Sequence, residues 1–269
     1  MIISALSFSF MAAIVKATPH TVAVKALSRQ IFSCIFVLIF ILINNHRIIP
    51  KKENRVKLFL RCLFGTLGIY FYFYSIDNLL LANAAMLTRL SPFFVTLFAL
   101  LLLKEKINKI SLIIFIPLII GCVLIIKPNS ALFNPISIYA IFSACFGALA
   151  YTMIKSIGED ESAFTIIFWF TLSSSIIYLL IGIKDIVTIS NINFINLSLI
   201  GFFGVVGQIG LTYSYQTALA SSVAPYSYTY ILFSGILGYY IWKEIPDAYS
   251  MIGYSIILFS YFILLKYNK

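Results

Sequence analysis

Charge is scarce in this chain. Lys, Arg, Asp and Glu make up 10% of its 269 residues, against about a quarter in a soluble domain. Carboxylates are scarcest: Glu53, Asp77, Glu105, Glu159, Asp160, Glu161, Asp185, Glu244 and Asp247 all sit at the ends of apolar runs or between them. No two converge as acid–base catalysis or a metal site would need. The two histidines, His20 and His46, lie in loops expected on opposite sides of a membrane. Four cysteines (Cys34, Cys62, Cys122, Cys145) fall in four different apolar runs without CxxC spacing, so neither a metal nor a redox site is indicated. These absences point away from an enzyme and from any cofactor. No mid-run carboxylate or histidine offers a proton relay, which favours facilitated movement or exchange, although Asp77 could be drawn inward. No polar stretch is long enough to bury a core of its own, and no signal-peptide pattern is present.

What remains is apolar: 61% hydrophobic residues at a mean hydropathy of +1.02. A membrane-spanning helix needs about 20 such residues. Segments of that order run at about 1–18, 27–44, 58–76, 82–103, 109–126, 135–155, 162–182, 195–216, 221–242 and 248–266. The expected fold is all-α, a polytopic membrane protein of ten transmembrane helices. The net charge of +10 sits between the segments, densest in HRIIPKKENRVK. That placement suits loops facing anionic lipid heads, with no nucleic-acid partner. If the N-terminus is cytoplasmic, twelve Lys and Arg fall inside and six outside, so both termini are expected in the cytoplasm, with the bacterial inner membrane as the location.

The chain repeats itself. At an offset of 139 residues, Gly65 and Gly68 align with Gly204 and Gly207, Tyr74-Ser75 with Tyr213-Ser214, and Lys104-Glu105 with Lys243-Glu244. Lys16 falls on Lys155. Over residues 57–127, 15 of 71 positions are identical, against roughly six expected by composition. The two units, 1–127 and 134–269, each hold five segments. An odd number makes the halves enter the membrane in opposite directions, as two inverted five-helix repeats, an arrangement that carriers use. A duplicated scaffold or receptor subunit without transport is the alternative reading. The first segment is barely long enough to span.

Candidate binding residues lie in the third, fourth, seventh, eighth and ninth segments. Arg89 sits seven residues past Ala82, about 10 Å along a helix at 1.5 Å per residue. It either snorkels to the interface or lines a wet cavity and meets a carboxylate or phosphate. Pro92 removes a backbone donor beside it, and Pro225 lies near the corresponding depth of the other half, so the two read as paired hinges or as ordinary kinks. Tyr70 and Tyr74 share one helix face, as do Tyr226 and Tyr230. Gln208 and Tyr215 share another, and Trp169 lies in the seventh segment. These are cavity candidates, with an interfacial belt as the competing reading for the aromatics. The glycines Gly65, Gly68, Gly204 and Gly207 suggest that the third and eighth segments are close-packed partners.

NAAMLTRLSPFFVTLFALLLLKEKIN, its counterpart SSVAPYSYTYILFSGILGYYIWKEIPD, and GTLGIYFYFYSI together resemble the EamA-type carriers of the drug/metabolite transporter superfamily over nearly the whole chain. In that family a Gly-Glu or similar turn closes the fourth and ninth helices. Here Lys104-Glu105 and Lys243-Glu244 stand in its place. The resemblance implies secondary transport by alternating access, often export, of a small polar metabolite such as an amino acid, an S-adenosylmethionine-like or a nucleoside-like compound. The partners implied are that small molecule and the lipid bilayer, with room for a homodimer.

Overall fold

The structure, a computed structural model, describes residues 1–44, 47–103, 115–127, 134–185, 191–217, 226–227 and 229–267. It is all-helical, with no strand among the described residues. In chain order the helices are α1 (Ile2–Ala17), α2 (Val22–Ile43), α3 (Arg55–Asn78), α4 (Leu81–Thr88), α5 (Ser91–Leu103) and α6 (Phe115–Ile126). The second half follows with α7 (Ser137–Ile157), α8 (Ala163–Gly182), α9 (Asn191–Thr217), α10 (Thr229–Trp242) and α11 (Ala248–Tyr267). Among the described residues six stretches are long and apolar enough to cross a bilayer: Val22–Ile43, Lys52–Asn78, Leu81–Leu103, Ser137–Asp160, Ala163–Gly182 and Phe194–Thr217. At 16 residues α1 is shorter, as its sequence suggested.

α4 and α5 are two halves of one apolar run, parted at Arg89-Leu90. Pro92 has no N–H to offer the Thr88 carbonyl, and the Thr88 hydroxyl turns back onto Ala84 O at 2.8 Å. The helix is interrupted beside Arg89. Pro225 lies outside the described residues.

Helix association in lipid draws on close packing and interhelical hydrogen bonds, because lipid tails are as apolar as leucine. The contacts follow that rule. A Cβ on Gly68 would lie 3.2 Å from the backbone N of Gly147, and Ser143 Oγ donates to Gly68 O at 2.9 Å, which joins α3 to α7. On the other side Ser4 Oγ donates to Gly207 O at 2.6 Å, joining α1 to α9. The outward faces carry exposed Ile35, Phe36, Ile39, Leu42 and Ile43 on α2 alone, a surface that lipid satisfies.

The closest pairings are α3 with α7, α1 with α9, α2 with α8 and α6 with α11. α1 also meets α10 while α7 meets α4 and α5, and α2 meets α9 while α3 meets α8. Exchanging each helix for its counterpart in the other half maps this set onto itself. The glycine-bearing third and eighth segments (α3 and α9) therefore pack on different partners rather than on each other. Each glycine face is small because a neighbour approaches it, and that neighbour belongs to the opposite half.

Candidate functional site

A cavity lies between the two halves of the bundle and is partly open to the exterior. Residues of α1, α2, α3, α4, α5, α7, α8 and α9 line it, so both halves contribute. Three arginines are among them: Arg29, Arg61 and Arg89. Among the described residues no carboxylate lines it.

Arg89 occupies the break between α4 and α5, just where the helix ladder is interrupted. Its guanidinium carbon stands 4.1 Å over the ring of Tyr230. Tyr230 is fully buried on α10, and its hydroxyl meets that of Tyr72 at 2.7 Å. Arg29 comes from α2 and is 3% exposed. It donates to Gln30 Oε1 at 2.8 Å and to Gln208 Oε1 at 3.1 Å, while Gln208 in turn donates to Thr212 Oγ1 at 3.0 Å. Arg61 on α3 is 2% exposed and lies 3.9 Å over the Phe170 ring. Its Nε has no hydrogen-bond partner, and neither has Nε of Arg29. Two glycines make room: a Cβ on Gly65 would lie 2.0 Å from Arg61 Nη1, and one on Gly204 would lie 2.8 Å from Arg29 Cγ.

A guanidinium in mid-membrane costs about 2.5–3.5 kcal/mol on insertion scales, so three cost on the order of 8–10 kcal/mol. That is the size of a whole domain's net stability. The aromatic face beneath each arginine returns about 0.5–2 kcal/mol. An arginine cannot shed its charge as a lysine can. The hydrogen bonds from Arg29 to Gln30 and Gln208 offset a further part of that cost.

The sequence pointed to two of the lining residues, Arg89 and Gln208. Tyr230 lies directly beneath Arg89, and Tyr215 stacks on Tyr151, which lines the cavity, at 5.0 Å. Tyr70 and Tyr74 stack on each other at 6.4 Å away from the cavity lining, with Tyr74 against Tyr139. Trp169 donates to Ile48 O at 2.9 Å and so holds the basic loop; its neighbour Phe170 faces the cavity. Tyr226 is exposed. Tyr72, Tyr151, Arg29 and Arg61 went unnamed as ligands. In the sequence Arg29 and Arg61 read as loop charges, because they lie close to the starts of the apolar runs at 27 and 58. The helices begin at Val22 and Arg55, which sets both arginines about two turns inside.

The carboxylates collect at the ends of the bundle. At one end Glu244 pairs with Lys16 and accepts from Leu81 N at 2.7 Å. Lys25 pairs with Asp77 at 2.7 Å, and Lys127 pairs with Asp247. Burial works against the Asp247 charge, but bonds from Lys127, Ser250 N and the Ser250 hydroxyl outweigh it and hold its carboxyl down at about 2. At the other end Glu161 accepts from Lys51 N at 2.7 Å and from Asn54. No cluster of three or more metal-ligating side chains occurs among the described residues.

The family model of EamA-like transporters matches this chain twice, over residues 1–127 and 134–266. The chain belongs to the EamA-like transporter family. It is a multi-pass membrane transporter. Its relatives include the "Pseudopaline exporter CntI" of Pseudomonas aeruginosa, 28% identical over 272 residues covering 100% of this chain and 95% of that protein. An "Uncharacterized transporter" of Helicobacter pylori is 30% identical, covering 97% and 91%. The "S-adenosylmethionine uptake transporter" of Rickettsia prowazekii is 25% identical over 87% of this chain and 79% of its own. A crystal structure with a TM-score of 0.67 covers 97% of this chain and 92% of the solved one at 14% identity, a likeness of fold. The family membership speaks for transport over a non-transporting scaffold.

Proposed function

We propose that this EamA-family member is a secondary carrier in the bacterial inner membrane. Ten membrane-spanning helices in two oppositely inserted halves, 1–127 and 134–269, would move a small polar metabolite by alternating access. The observation that carries the reading is the cavity itself: it is central, built from both halves, and has Arg89 at a broken helix on its wall. Two halves whose helix contacts exchange onto one another support inward-open and outward-open states of similar energy. Arg89, Gln208, Arg29 and Arg61 face the substrate, with Tyr230 and Tyr215 holding the walls behind them.

Export is the favoured direction, because the exporter relative is matched over this whole chain. Both termini face the cytoplasm: with Arg29 and Arg61 removed from the loop count, eleven Lys and Arg remain inside against five outside. The test is reconstitution into liposomes loaded with amino acids, nucleosides and organic anions. Saturable efflux above empty liposomes is the expected result. No efflux of any of the three classes would overturn the reading.

A further inference from the structure

We infer that the metabolite is a polyanion, an organic molecule bearing two or more carboxylate or phosphate groups. This rests on the proposed carrier reading and names the substrate class for that same cavity. The carrying observation is the charge of the lining. Arg29, Arg61 and Arg89 come from α2, α3 and the α4–α5 break, and no carboxylate lies among the described lining residues. Arg61 makes no hydrogen bond and no ion pair to any described residue, although it is 2% exposed. Its contacts are the Phe170 face at 3.9 Å and the bare backbone of Gly65.

A buried guanidinium with donors left over is matched by an acceptor that the protein does not supply. One carboxylate satisfies one guanidinium through two parallel bonds. It neutralises only one of three like charges in a medium of low dielectric. A ligand with two or more acidic groups meets several at once, and Phe8, Met11 and Phe170 offer an apolar wall for its body. A cationic ligand would meet three like charges and no counter-charge.

The test is thermal unfolding of the purified full-length protein in detergent at fixed ionic strength. The probes are citrate and pyrophosphate as polyanions, lactate as a monoanion, and S-adenosylmethionine as a net cation. Citrate or pyrophosphate is expected to stabilise saturably, at a concentration at least tenfold below any effect of lactate, with no shift from S-adenosylmethionine. Arg61→Gln is expected to weaken that polyanion about tenfold to a hundredfold, the scale of one charge-assisted contact. It should also leave the ligand-free protein as stable as before or more so, because an uncompensated charge is gone. A merely structural arginine would do the reverse. Where Arg61→Gln does not fold, Arg29→Gln tests the affinity alone, because that change also breaks the bonds to Gln30 and Gln208.

No saturable shift with either polyanion overturns the inference. So does an equal effect of lactate or S-adenosylmethionine, or an Arg61→Gln affinity within twofold of the parent. Binding in detergent needs no transport. Polyanion binding without flux in liposomes would therefore count against the carrier reading alone, and flux of a neutral or cationic metabolite without polyanion binding against this inference alone.

Discussion

Replacing Glu244 with Gln removes one charge and touches three segments. Its carboxylate, 10% exposed, pairs with Lys16 at the end of α1, itself 14% exposed. It also accepts from Leu81 N at 2.7 Å, in the first turn of α4, where Leu80 offers no side-chain cap. An anion at a helix N-terminus is stabilised by the helix dipole, so Glu244 does for α4 what a local Asp or Ser does elsewhere. Breaking a buried pair costs about 3–5 kcal/mol. Water at the bundle end and the Leu79 carbonyl, 2.7 Å from Lys16 Nζ, reduce that. Gln keeps a neutral acceptor for Leu81 N, which leaves about 2–4 kcal/mol. At about 2 °C per kcal/mol for a chain of this size, Glu244→Gln should melt roughly 4–8 °C lower in detergent. Lys16→Met added to it should lose at least ~1.5 kcal/mol less than the sum of the single changes, because the two share one interaction. Single variants within about 1 °C of the parent, or strict additivity, would show that the contact holds nothing together.

Two further outcomes concern turns and charge. Lys243 has φ +56, in the left-handed region where a non-glycine residue costs about 1–2 kcal/mol; Lys243→Gly should raise the melting temperature by the equivalent of about 0.5–1 kcal/mol once glycine's added chain entropy is subtracted, and a fall would show that the lysine side chain outweighs the strain. Asp247 titrates at about 2 in the folded protein against 3.8 unperturbed, so its anion stabilises the fold fully above 3.8 and that contribution drains as pH falls toward 2. Asp247→Asn should therefore be less stable at pH 7 and should lose less between pH 5 and pH 2.5 than the parent, as melting curves across that range would register.

The long apolar runs and the 139-residue repeat carried most of the architecture, because both depend on period and length. Helix starts did not, and that is where the site was misread. Val22 and Lys25 belong to α2, and the Lys25 ammonium is buried against Asp77 and Val15 O. A hydropathy window stops at such charges; a fold that pairs them does not. Arg29 and Arg61 consequently looked like loop residues. The usable signal was a second basic residue a turn or two outward of each, Lys25 before Arg29 and Lys57 before Arg61, which left the inner one free to point into the bundle. Tyr70 and Tyr74 were misleading for a different reason. A shared helix face does not say which neighbour it meets, and a step of two residues puts Tyr72 on the cavity and Tyr74 against Tyr139. Lys243 holds the left-handed backbone conformation that glycine adopts without strain.

Counterflow through reconstituted protein bears most directly on a cavity that carries its ligand past Arg89. Liposomes loaded with unlabelled polyanion should accumulate the labelled compound transiently and saturably. Arg89→Gln should reduce that exchange at least tenfold, the scale of one lost charge-assisted contact, while the variant inserts and melts as a folded protein. Exchange by Arg89→Gln equal to that of the parent would contradict it and would leave Arg89 as a side chain reaching for the interface.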